Sequence, residues 1–191
     1  MKKFFALFVA IVMALLLASC GTAYGQYAAK GTVELGGAAS YSSTTLVTNG
    51  TKDTEASTFL QLMPYVNYFI MDNFSVGFAP SVNILNVAHS TNSMKFYGIF
   101  AVPGYSFNTS SNVFPFVQGF IGYTSADPGT STTQSGLSYG GKGGIKVSVG
   151  QSGLASFGVS YMIVDISPSG ASSRTGFNNL AFSVGYSIFI N

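Results

Sequence analysis

From Val113 to its C-terminus the chain is a succession of stretches of roughly ten residues in which large apolar residues alternate with Gly, Ser, Asn, Gln or Lys. A period of two puts successive side chains on opposite faces, so each stretch predicts a β-strand with one apolar face. The same alternation, read back toward the start, predicts eight strands over about residues 31–41, 58–70, 74–85, 95–107, 113–124, 137–149, 154–164 and 180–190. Leu60, Leu62, Pro64, Val66, Tyr68 and Ile70 share one face of the second strand, against Gln61 and Asn67 on the other. In the third, Phe74, Val76, Phe78, Val82 and Ile84 oppose Gly77, Ala79, Ser81 and Asn83. The fifth can be read either way, because Phe114, Phe116 and Phe120 oppose Val113, Val117, Ile121 and Tyr123.

The connections alternate in length. Residues 42–57, 86–93, 125–136 and 165–175 are polar and predict long loops, whereas 71–73, 108–112 and 150–153 predict tight turns. Short turns at one end and longer loops at the other are the arrangement of an up-and-down barrel crossing a bacterial outer membrane.

Composition turns this pattern inside out. Charged residues are 7% of the 191-residue chain, against about 25% in ordinary soluble domains, too few to give each sheet of a soluble sandwich a charged face. The expected fold class is therefore all-β: a transmembrane antiparallel up-and-down barrel of eight strands, apolar side chains toward lipid and small neutral ones in a narrow lumen. Tyr68, Phe69, Phe74, Tyr105, Phe107 and Tyr186 near the turns, with Tyr41, Tyr97, Tyr123 and Tyr139 near the loops, predict aromatic girdles at the two interfaces. Pro64, Pro80, Pro103 and Pro115 fall inside predicted strands, where each removes a ladder donor, and so predict bulges or locally missing bonds.

The first residues predict export. Lys2 and Lys3 precede an apolar stretch from Phe4 to Leu17, too short for a stable membrane helix, and then a small-residue region. Two processing sites compete: an ordinary cleavage after Gly25, making 1–25 a signal peptide and 26–191 the barrel, or a lipobox, Leu17-Ala18-Ser19-Cys20, that removes 1–19 and lipidates Cys20. Either outcome leaves no disulfide, since Cys20 is the only cysteine. Two of the eight basic residues lie at positions 2 and 3, so the remaining six balance six acidic ones, and nothing indicates a nucleic-acid partner.

The run Phe59-Leu60-Gln61-Leu62-Met63-Pro64-Tyr65-Val66-Asn67-Tyr68-Phe69-Ile70-Met71-Asp72-Asn73-Phe74-Ser75-Val76-Gly77 resembles a strand-turn-strand of the OmpX-like outer-membrane β-barrel family, in which a proline, an aromatic pair, Asp-Asn and Val-Gly recur in this order. The resemblance extends loosely over residues 30–191 and implies fold rather than activity. The chain departs from enterobacterial-type members at Phe189-Ile190-Asn191, where those members finish on an aromatic residue.

Candidate chemistry is sparse. Glu34, Lys142 and Lys146 are the ionisable residues expected on lumen faces, and a confined charge must be paired or hydrated. They predict a luminal polar cluster in which Glu34 offsets one or both lysines, supported by Gln61, Asn67 and Gln118. Such a cluster plugs the lumen; a lysine left over would instead line a narrow, porin-like, weakly anion-preferring channel. The sole histidine, His89, lies in the second predicted loop near Ser90 and Ser93 with no strand-borne carboxylate evidently aimed at it, which favours a solvated side chain over the base of a lipid-modifying enzyme. One histidine and scattered acids predict no metal centre, and no cofactor is expected. Gly140-Gly141-Lys142-Gly143-Gly144 lacks the spacing of a phosphate loop and reads as glycines relieving crowding in a strand. The expected protein is thus a small, monomeric, non-enzymatic barrel with a structural or loop-mediated role in adhesion or envelope integrity. Its partners would be outer-membrane lipid, the barrel insertion machinery and an extracellular ligand met by loops carrying Lys52, Asp53, Glu55, Asp165 and Arg174.

Overall fold

A computed structural model describes residues 27–48, 51–89, 93–109, 112–127, 134–168 and 175–191. The processing region, Cys20 included, the side chains of Lys52 and Asp53, and Ser90 and Arg174 lie outside the described residues. The strands are β1 (Val33–Thr48), β2 (Thr51–Met71), β3 (Phe74–Asn86), β4 (Ser93–Ala101), β5 (Gly104–Ser106), β6 (Val113–Asp127), β7 (Gln134–Val149), β8 (Gly153–Pro168) and β9 (Thr175–Ile190). β4 and β5 are two parts of one strand: both pair with β3 on one side and β6 on the other. All pairings are antiparallel, and β1 closes onto β9 from Val33↔Ile190 to Tyr41↔Phe182, giving an eight-stranded barrel.

The barrel is apolar outside. Leu60, Leu62, Val66, Val76, Phe78, Ile99, Ile121, Val159 and Val184 are exposed, and Phe182 is 78% exposed. The alternate positions on the same strands are buried or half-buried, so each strand sorts its residues by parity, as the pleat requires. The fifth predicted strand resolves with Phe116 and Phe120 inside and Val117, Ile121 and Tyr123 outside. Of the predicted girdle residues, Tyr41, Tyr68, Tyr97, Tyr105, Phe107, Tyr123 and Tyr139 are exposed. Phe69 is a correction: it is fully buried, because its parity matches Asn67 rather than Tyr68.

The prolines sit where the ladder can omit a donor. Pro64 and Pro80 lie opposite one another in the gap of the β2–β3 register between Leu62↔Val82 and Val66↔Phe78. Pro103 falls in the break between β4 and β5, where Val102 N donates to Gly77 O and Gly119 N donates to Pro103 O. Pro115 keeps its pairing with Ile145, while its carbonyl accepts from Phe107 N just beyond the end of β5. In an antiparallel ladder a residue's N–H and C=O point the same way, so the donor missing at Pro115 faces the side where pairing is ending.

The polar segments differ from expectation. Most of 42–57 is a continuation of the β1–β2 ladder, from Ser42↔Phe59 to Thr48↔Thr51 with one register shift between Thr45 and Val47. Likewise β6 runs to Asp127, β7 starts at Gln134, β8 reaches Pro168 and β9 starts at Thr175. Alternation of large apolar and polar residues fades in these extensions, although Ala126 and Ile166 are still buried inside, and Ser, Thr and Val remain good strand formers. The hairpins therefore outrun the hydrophobic signal that revealed them.

Candidate functional site

The segment before β1 determines how the lumen is closed at the turn end. Ala28 O accepts from Asn73 N at 2.7 Å, Gly31 N donates to Phe69 O at 2.8 Å, and Lys30 N donates to Asp72 Oδ1 at 2.8 Å, which ties the segment across the β2–β3 turn. Asn73 takes the left-handed conformation that this tight turn needs. Tyr27 is thereby driven into the barrel end, where its ring packs against Phe69, Phe114 and Phe189 at centroid distances of 5.5, 4.9 and 5.5 Å. Leu154 and Ala28 complete this apolar seal.

Directly above it lies a buried ion pair. Lys146 Nζ, from β7, stands 2.7 and 2.8 Å from the two carboxylate oxygens of Glu34, from β1, with both side chains essentially inaccessible to water. Lys146 also donates to the Tyr27 hydroxyl at 2.7 Å, and its charge lies over the rings of Tyr27 and Phe116 at 5.3 and 5.2 Å from their centres. Glu34 accepts further from Ser187 Oγ at 2.7 Å, Tyr65 OH at 3.1 Å, and Asn67 Nδ2 and Tyr27 OH at 3.4 Å. The carboxylate thus exchanges water for a shell of protein donors, the condition under which a charge survives burial. Gly77 is part of this fit, since a Cβ there would lie 1.9 Å from Asn67 Oδ1.

The loop-ward half of the lumen is different. Phe59, Tyr65, Phe96, Phe100, Val102, Phe120, Met162, Val164 and Ile166 form a contiguous buried cluster. Phe177 packs edge-on against Phe59 and Phe96, and Phe100 edge-on against Phe120. The expectation of an interior of small neutral residues fails here, because aromatic residues occupy inward parity positions on β2, β4 and β6. At this diameter inward side chains meet across the axis.

The residues singled out from sequence separate accordingly. Glu34, Lys146 and Asn67 meet. Gln61 is buried in the other half and contacts Met162 Sδ at 3.7 Å. Gln118 and Lys142 are register neighbours on β6 and β7, away from the carboxylate's hydrogen-bonding shell, with Lys142 Nζ 5.5 Å from the centre of the Phe116 ring. Tyr65 and Ser187 are legible as inward positions by parity alone, whereas Tyr27 lies ahead of the first strand and carries no periodic signal. The glycine-rich run around Lys142 is strand, and a Cβ at Gly140 would press on the Phe120 ring at 2.6 Å. His89 is a further correction: Glu55, on the strand extension of β2, does reach it, accepting from His89 N at 2.7 Å with Oε2 3.5 Å from Nδ1. The pair is more than half exposed and ties the β3–β4 connection to β2. Among the described residues no group of three His, Cys, Asp or Glu side chains is arranged to hold a metal ion.

No family model matches the sequence, and no curated protein matches it. Solved structures do match. Neisserial surface protein A superposes with a TM-score of 0.59 at 17% identity, over 83% of this chain and 97% of the other. The outer membrane protein OprG of Pseudomonas aeruginosa gives 0.54 at 16% identity, over 89% and 100%. The chain has the fold of the small eight-stranded transmembrane β-barrels of bacterial outer membranes.

Proposed function

We propose that this protein is an integral outer-membrane barrel that acts as a sealed scaffold, with its tight turns periplasmic and its extended hairpins and loops outside, where they meet external surfaces. The observation that carries this reading is the filled lumen: an aromatic seal around Tyr27, then the Glu34–Lys146 pair, then the aromatic cluster around Phe100. A path for ions would have to displace all three. The apolar outer belt supports residence in lipid, and two barrels of like fold are named as a surface protein and an outer membrane protein. His89 and Glu55 sit as an exposed pair on the outer extension, which fits a tie between strands better than a site for a lipid substrate.

Four measurements test this. The isolated barrel in detergent should change gel mobility on boiling, as a closed barrel does. In planar bilayers it should show no discrete conductance steps; steps altered by Lys142→Glu or Lys146→Glu would replace the scaffold with a narrow channel. Binding to host or matrix surfaces should fall when residues 42–57 are shortened, and the mass of lipid A should be the same with His89→Ala as without it.

A further inference from the structure

The ion pair leaves one charge over. Among the described residues the buried carboxylates and ammonium groups of the lumen are Glu34, Lys142 and Lys146, one negative against two positive. Glu34 gives both oxygens to Lys146. Lys142 is only 7% exposed; its ammonium lies 5.5 Å from the centre of the Phe116 ring, and no described side chain or carbonyl accepts a hydrogen bond from it. A ring face offsets a fraction of what an unpaired buried ammonium loses on leaving water.

Small residues surround the lysine on its own strand and on β8. Gly140 and Gly144 occupy the same-face positions on either side of Lys142 along β7, so no side chain flanks it there. On β8 the lysine stem lies against Gly158, where a Cβ would come within 3.3 Å of Lys142 Cε. Ser160 stands opposite Lys142 in the register and Ser156 opposite Lys146. Ser156 Oγ is buried without a hydrogen-bond partner.

We propose that Lys142 holds a small inorganic anion of the halide class inside the barrel, between the ion pair and the aromatic cluster, with the Ser156 hydroxyl as a second donor. The anion completes the charge balance of the lumen as a resident counterion, whatever the loops bind.

The test compares the refolded barrel in sodium bromide and in sodium gluconate at equal ionic strength, reading the temperature at which its gel mobility changes. Bromide should raise that temperature by a few degrees and saturate, as binding to the folded state alone requires. In Lys142→Met the bromide increment should vanish while the mobility change itself persists. Equal temperatures in the two salts for the unaltered chain, or the same increment in Lys142→Met, would overturn the proposal. Should that variant not fold, bromide-soaked crystals of the unaltered chain decide the matter: an anomalous peak beside Lys142 Nζ supports the site, and its absence there rejects it.

Discussion

The two halves of the lumen solve one problem by opposite chemistries. Both must fill a cylinder too narrow for water to pass freely. The turn-ward half does so with charge, held by Glu34, Lys146 and the hydroxyls of Tyr27, Tyr65 and Ser187. The loop-ward half does so mainly with rings and aliphatic side chains packed on one another. The polar half is accordingly a network in which each group depends on the others, while the apolar half is a sum of contacts. The polar half also has a lid made by a segment outside the sheet, so its closure depends on the chain N-terminal to β1.

Breaking the network should give the largest effect. Glu34→Gln leaves Lys146 buried and uncompensated and should cost about 3–5 kcal/mol of stability, read from the urea midpoint of the barrel in detergent. Adding Lys146→Met should recover most of that loss; equal costs for the single and double variants would show that the pair is not a coupled unit. In the apolar half Phe100→Ala should cost about 3 kcal/mol, and no second substitution at a distant ring should rescue it. Gly77→Ala, which pushes a methyl group into Asn67 and against the Val66 carbonyl, should cost about 1–3 kcal/mol, and an accompanying Asn67→Ala should relieve only the side-chain part of the clash. The smallest effect is expected for Tyr27→Phe, about 1 kcal/mol, since the ring contacts with Phe69, Phe114 and Phe189 remain and only the hydroxyl's hydrogen bonds with Lys146, Glu34 and Ser106 are lost. A loss as large as that of Glu34→Gln would place the hydroxyl at the centre of the network.

Several of these positions are legible in the amino-acid sequence. Glu34, Asn67 and Lys146 stand out because polar residues at inward parity in a charge-poor chain must find one another. Gln61 has the same parity and composition signal but belongs to the other half, because parity gives the face and not the height along the barrel. Height follows from register and tilt, which are properties of paired strands. Phe69 and the inward phenylalanines are obscured for a related reason: an aromatic residue suits lipid and a dry lumen equally well. Glu55 and His89 are brought together by a strand continuing past the apolar belt, where alternation no longer marks it.

Local periodicity and the cost of burying charge are written into the chain residue by residue. They suffice for the all-β class, the number of strands, the apolar outer face and the small set of charges that had to be inside, because none of these depends on which strands are neighbours. That Glu34 takes Lys146 and not Lys142, that Tyr27 seals one end, and that the other half is aromatic are outcomes of the folded barrel. They depend on which side chains meet across a closed cylinder, and the closure that brings β1 onto β9 exists only once every strand between them is in register.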